Sequence, residues 1–305
     1  MSEPWLTFAP LQPHWVLPKN LNLPFYFCEG ISLRAIPEWV IDNTFVDKLR
    51  PALQDKLADG TRHCLAIEYE AAALGSPDTS STRDPKLAIQ ETATIKIQFV
   101  NLALWLARPT SLSFKIVVHA VNHGTEWVTR QIQDFDIMCP LENYVPEALT
   151  ESDLASAQNI FRNLSSTIDR STIRTAAGAT FRALLEQAWP LRFLLHWLAM
   201  ESLFGPEDGR EITFRLSQRV ALFLESDKEK AQKLFSEVKN SYSWRSKVVH
   251  GLRLSKLKED ESYQLLVGLE QLVRRSFLEV LRDDATARIF DGESREKYLD
   301  SMPFK

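Results

Sequence analysis

The chain has 305 residues, of which 45% are hydrophobic and 25% charged, and carries a formal net charge of −4 at pH 7. That composition and length fit a globular protein of one large domain or two and exclude a disordered or low-complexity chain. The acidic sum also speaks against non-specific coating of nucleic acid, which needs a basic domain.

No stretch of about 18 apolar residues occurs, and "MSEPWLTFAP" lacks the basic-then-apolar pattern of a leader, so no membrane association and a cytoplasmic location are expected. Cys28, Cys64 and Cys139 lie far apart with no Cys-x-x-Cys, which fits a reducing compartment. All three are expected to pack as small apolar groups.

Pro4, Pro10, Pro13, Pro18, Pro24 and Pro37 rule out a long helix in the first 40 residues and favour short strands. "LPFYFC" and "ISLRAI", joined by Glu29-Gly30, predict a hairpin. Val40, Ile41, Phe45, Leu49, Leu53 and Leu57 recur at helical spacing between Pro37 and Asp59. "HCLAIEYEAA" is a strand candidate, and "GSPDTSSTRDP" at 75–85 is a loop. "TATIKIQF" alternates like a strand, but Ile89, Ala93, Ile97, Val100, Leu104 and Ala107 lie on one stripe long enough to predict a helix. "LSFKIVVHAV" and "EWVTRQIQDFDIM" predict an antiparallel pair turning at Asn122-His123-Gly124-Thr125. Residues 1–150 thus form an α+β domain.

After Pro146 strand-like runs disappear and helical periodicity dominates, which places a boundary near residue 150 and an all-α domain over 151–305. Thr150 and Asp153 have the spacing of a capping box. Helices are predicted at 152–168, 174–204 with a kink at Pro190, 210–225, 227–241, 243–254 and 260–282. Gly205-Pro206 ends the second.

Familiar sites are missing: there is no Gly-rich phosphate loop and no nucleophile elbow. His119 and His123 are four apart but fall at a predicted strand, which disfavours a shared metal, and no metal or cofactor is expected. His196 reads as a core histidine. Glu201 and Arg219, on successive apolar helices, are expected to pair, because ionised groups at core-facing positions need partners.

The charge is uneven. Residues 1–150 carry 12 Lys and Arg against 17 Asp and Glu, whereas Val238–Lys258 holds six cations and no acid. Such a strip suits an anionic ligand at one site, and its plainer reading is a solvated helix face. Within it, Arg245 and His250 combine a planar phosphate-binding cation with a proton carrier that works near neutral pH. Together they supply the minimum for cleaving RNA by attack of its own 2′-hydroxyl. Five residues on a regular helix place two side chains about 140° apart, so one copy alone makes a poor site.

"YSWRSKVVHG" resembles the Arg-x4-His signature of HEPN domains, in particular the ApeA-like branch. "AMESLFG" and "EITFRLSQRVALFL" are similar to that branch's first two core helices, with Glu201 and Arg219 at the matching positions, and the likeness covers about residues 175–282. The resemblance implies a four-helix up-and-down bundle that dimerises so that two Arg-x4-His segments face one cleft. It further implies a metal-independent endoribonuclease of anti-phage or abortive-infection defence, acting on RNA such as tRNA or mRNA. Arg245 and His250 would be catalytic and Glu201, Arg219, Ser246 and Tyr242 supporting, with Lys247, Arg253 and Lys256 as RNA contacts. Residues 1–150 would then sense a phage-derived trigger or regulate the nuclease. Ser246 stands where many active members carry Asn, Asp or His, and Leu252 where some carry Tyr. Inactive HEPN modules that bind RNA, nucleotides or proteins are the alternative.

Overall fold

The structure, a computed structural model, describes residues 4–12, 17, 21–41, 63–70, 85–124, 126–136, 138, 148–167, 171–251 and 258–302. The chain divides into two compact units, Met1–Met138 with Val145–Arg162 and Cys139–Tyr144 with Asn163–Lys305.

The first unit is built on an antiparallel sheet of β1 (Pro4–Gln12), β2 (Phe25–Cys28), β3 (Ile31–Ala35), β4 (His63–Glu70), β5 (Ser113–Phe114), β6 (Ile116–Asn122) and β7 (Trp127–Asp134). Its order is β2-β3-β4-β1-β6-β7, with β5 pairing to β1. The early prolines suggest only short strands, yet β1 is nine residues long and central. Its pairing with β6 stops at Phe8–Val118 and resumes with β5 at Leu11–Phe114, so Pro10, which lacks an N–H, falls in the gap of that ladder. The β2–β3 hairpin turns at Glu29-Gly30 as expected. Gly30 has φ +74°, and a Cβ there would stand 2.6 Å from the Glu68 carbonyl oxygen, so both conformation and space require glycine.

A four-residue helix, α1 (Glu38–Ile41), follows β3, and the remainder of the helical pattern up to residue 59 lies outside the described residues, as does the loop expected at 75–84. The 23-residue α2 (Pro85–Ala107) confirms the helical reading of "TATIKIQF" and packs against β1 and β4. Ala93, Ile97, Val100 and Leu104 are fully buried. Another core cluster comprises Leu6, Phe8, Cys64, Ala66, Ile116 and Val118, closed by Ile36 and Val40 and by the stacked Trp39 and Trp127. Cys64 is buried as expected, but Cys28 is exposed, and Cys139 lies outside the described residues.

Past residue 150 the elements among the described residues are helices: α3 (Glu151–Ser165), α4 (Thr172–Leu185), α5 (Trp189–Phe204), α6 (Ile212–Leu224), α7 (Lys228–Val249), α8 (Glu259–Val280), α9 (Asp284–Asp291) and α10 (Ser294–Ser301). The capping box of α3 is formed, with Thr150 N donating to Asp153 Oδ2 at 2.8 Å and Asp153 N to Thr150 Oγ1 at 3.1 Å. Residues 174–204 do not make one kinked helix. The chain breaks at Glu186, whose carboxylate accepts the Ala188 N–H at 2.8 Å, and Pro190 sits in the first turn of a new helix, where a missing N–H costs nothing. Residues 227–254, predicted as two helices, instead contain the single helix α7, and α9 and α10 were not predicted. In the second unit α5 packs against α4, α6, α7 and α8. No helix among the described residues is long and apolar enough to cross a membrane.

Candidate functional site

Helix α7 starts at Asp227, whose side chain accepts the Lys230 N–H at 2.9 Å, and ends at His250 and Gly251. The helix survives the serine-rich "NSYS" because Tyr242 is anchored from the side. Its ring meets Trp197 of α5 edge-on at 4.9 Å, and its hydroxyl donates to Glu201 Oε1 at 2.7 Å. Burial, then the Glu201 carboxylate, push the Tyr242 phenol upward, so the proton stays on tyrosine.

Arg245 lies almost one turn further along. Its Nε stands 3.0 Å from Glu201 Oε1 and its Nη2 3.2 Å from Oε2, a side-on, two-point pair. The side chain is 37% exposed and that of Glu201 21%. Glu201 therefore holds Arg245 by one edge, and among the described residues Nη1 makes no hydrogen bond.

The structure brings together Glu201, Tyr242 and Arg245 but not all the predicted residues. His250 caps α7 with φ −88° and ψ 4°, its backbone N–H donating to Ser246 O at 3.1 Å, and its side chain is exposed. No hydrogen bond joins it to Arg245 among the described residues. Ser246 is exposed, and Lys247 lays its ammonium 3.8 Å over the Trp244 ring. Arg253 and Lys256 lie outside the described residues.

Arg219 is the clear departure, because the expected pair with Glu201 is not formed. It donates to Phe204 O at 3.1 Å, to Glu296 Oε1 at 2.6 Å and to Asp300 Oδ1 at 2.7 Å. Arg215 reaches the same two carboxylates and Asp208, while Arg295 binds the Leu203 and Gly205 carbonyls. This clasp fastens α10 to α6 and to the end of α5, the helix that carries Glu201. The partners sit in a C-terminal stretch that carried no helix prediction, which is why the pairing was missed.

A second unforeseen cluster lies in the interior. Arg192 is bonded to the fully buried Glu270 of α8 through both Nε, at 3.1 Å, and Nη2. His196 Nε2 stands 3.4 Å from Glu270 Oε1. Burial dominates at His196 and holds it neutral, as a core histidine should be. Burial alone would raise Glu270, but His196 and Arg192 outweigh it and keep the carboxylate ionised. A signal existed in the sequence: Glu270 falls on the stripe of Leu266, Leu269, Val273 and Phe277, where an acid needs a cation.

His119 and His123 do not converge. His119 is buried between Thr7 Oγ1 at 2.8 Å and Thr94 Oγ1 at 3.3 Å, whereas the exposed His123 meets Arg130 Nη2 at 2.6 Å. Among the described residues no group of three or more His, Cys, Asp or Glu could hold a metal ion. Comparison with protein-family models, with curated proteins and with solved structures gave no match to this chain.

Proposed function

We propose that the protein is a metal-independent endoribonuclease whose working groups are Arg245 and His250. The observation that carries this reading is the side-on clamp of Arg245 by Glu201, itself held by Tyr242, which fixes a guanidinium edge on the helix whose end carries the exposed His250 side chain. The RNA 2′-hydroxyl attacks the neighbouring phosphorus, a P–O2′ bond forms as P–O5′ breaks, and the products are a 2′,3′-cyclic phosphate and a 5′-hydroxyl. His250 takes the proton from the nucleophile or gives one to the departing oxygen, and Arg245 binds the charge that builds on the phosphoryl oxygens.

Side chains about 140° apart on one helix do not converge on one phosphate. The proposal therefore includes a homodimer of a four-helix, HEPN-like bundle in which two such helix ends share a cleft. Action in anti-phage defence, with the first unit responding to a phage-derived trigger, extends the resemblance described above. The test is incubation of labelled RNA with purified protein in EDTA. Wild type is expected to cut, while Arg245→Ala and His250→Ala lose at least about a hundredfold in rate, from the usual contribution of general acid–base catalysis. Cleavage unchanged in His250→Ala overturns the assignment.

A specific observation favours a second reading, a module that binds RNA, nucleotides or a protein without cutting. The charge of Arg245 is already answered by Glu201 within the chain. RNA binding that depends on Arg245, with no cleavage under any condition, selects it.

A further inference from the structure

We infer that the groove between α7 and α8 is a pocket for one unpaired nucleobase with an exocyclic amino group, lying next to the phosphate bound at Arg245. The inference rests on the reading of Arg245 as a phosphate ligand and names what that site recognises.

The groove has a volume of about 250 Å³ and apolar walls that include Leu234 and Val238 of α7 and Leu265 and Leu269 of α8. Drug-sized ligands take roughly 300–1,000 Å³, so the space suits a single flat ring. Gly268 lies in its lining, and a Cβ there would meet nothing within 4 Å, so the missing side chain keeps the groove open. Ser241, also in the lining, has a buried hydroxyl oxygen with no hydrogen-bond partner among the described residues. Such an atom costs free energy while unpaired, and rotation of the short serine side chain toward the groove is what lets a base complete it.

Position ties the groove to the candidate site. Glu237, Ser241 and Arg245 recur every four residues on α7, and four residues advance a helix by about 6 Å. The Ser241 backbone therefore lies about one turn from that of Arg245, a separation that a nucleotide whose phosphate is bound at Arg245 can bridge. Glu237 and Gln264 complete the lining. The carboxylate accepts from an exocyclic amine, as acidic side chains do from cytosine N4, and offers nothing to uracil O4. Its ion pair with Lys233 spans 3.9 Å between exposed side chains, at 59% and 80%, and is readily exchanged for a base. An aliphatic side chain from a protein partner would fill the walls but leave the Ser241 hydroxyl unpaired.

The experiment measures binding of the homopolymers oligo(C), oligo(A) and oligo(U), each with a 2′-deoxy nucleotide at every position to block cleavage, to full-length wild type, Gly268→Leu, Glu237→Gln and Arg245→Ala, with light scattering alongside. Wild type is expected to prefer oligo(C) and oligo(A) over oligo(U) by at least about fivefold. Glu237→Gln is expected to erase that preference, because the amide both donates and accepts. Gly268→Leu should erase it by filling the groove, and Arg245→Ala should weaken all three alike. Equal binding of the three oligomers by wild type, with Arg245→Ala still weakened, overturns the base pocket and leaves the phosphate site standing. No binding to any oligomer overturns both. A Gly268→Leu chain that changes its mass in solution and keeps its base preference overturns the pocket in favour of a second copy in the groove.

Discussion

Two residues show how neighbours set the chemistry of a side chain. Tyr242 offers one hydroxyl to Glu201 while its ring rests on Trp197. Tyr242→Phe keeps the ring contact and deletes the bond, so it should cost about 1 kcal/mol in chemical denaturation. If the protein is the ribonuclease proposed above, the same substitution should slow RNA cleavage more than it weakens RNA binding, because Arg245 then turns more freely on Glu201. His119 shows the effect of burial. Removal from water pulls its imidazole down to about 4 from the ordinary 6.5. The folded protein therefore refuses a proton that the unfolded chain accepts. Its stabilising contribution is complete above about pH 6.5 and is lost as pH falls to about 4, on the order of 3 kcal/mol in all. Denaturation midpoints followed across that window should fall less steeply for His119→Gln, whose amide reaches the same threonines without titrating.

At the scale of elements, local signals succeed where the deciding atoms are near in sequence. The Thr150–Asp153 box is such a case, and Thr150→Ala should lower stability by about 1 kcal/mol in a urea titration. The α2 stripe and the two hairpins were equally legible, since each needs only its own periodicity and turn. Prediction failed where a distant partner decided. A break at Tyr242 reads well locally, yet Trp197 and Glu201, more than 40 residues earlier, keep α7 whole. Helix α10 is short and polar, with Leu299 and Arg295 buried, and is held largely through Arg215, Arg219 and Arg295. No apolar period announces a helix of that kind.

At the scale of the molecule, composition changes at Pro146, whereas the compact units divide between Arg162 and Asn163. Helix α3 belongs mostly to the first unit because Phe161 packs on Phe27 at 6.2 Å and Gln158 donates to Tyr26 O at 2.6 Å, contacts invisible to a count of charges and strands. The proposed shared cleft makes its own demand at this scale. Sedimentation should give twice the 34.9 kDa chain mass, and a mixture of Arg245→Ala and His250→Ala chains should regain part of the cleavage each lacks alone. A monomer that cuts RNA with full activity would remove the shared cleft.

The sequence by itself determined the sheet-then-helix order, most strands and the α3 cap, because periodicity and turn chemistry act over a few neighbours. Residue type singled out Arg245 and His250 as candidates, and the supporting roles of Glu201 and Tyr242 rested on the resemblance. Tertiary structure alone decided that Glu201 binds Tyr242 and Arg245 while Arg219 binds Glu296 and Asp300. A half-buried charge takes whichever opposite charge the packing of helices brings within about 3 Å, and that choice is made by geometry over tens of residues rather than by spacing along the chain.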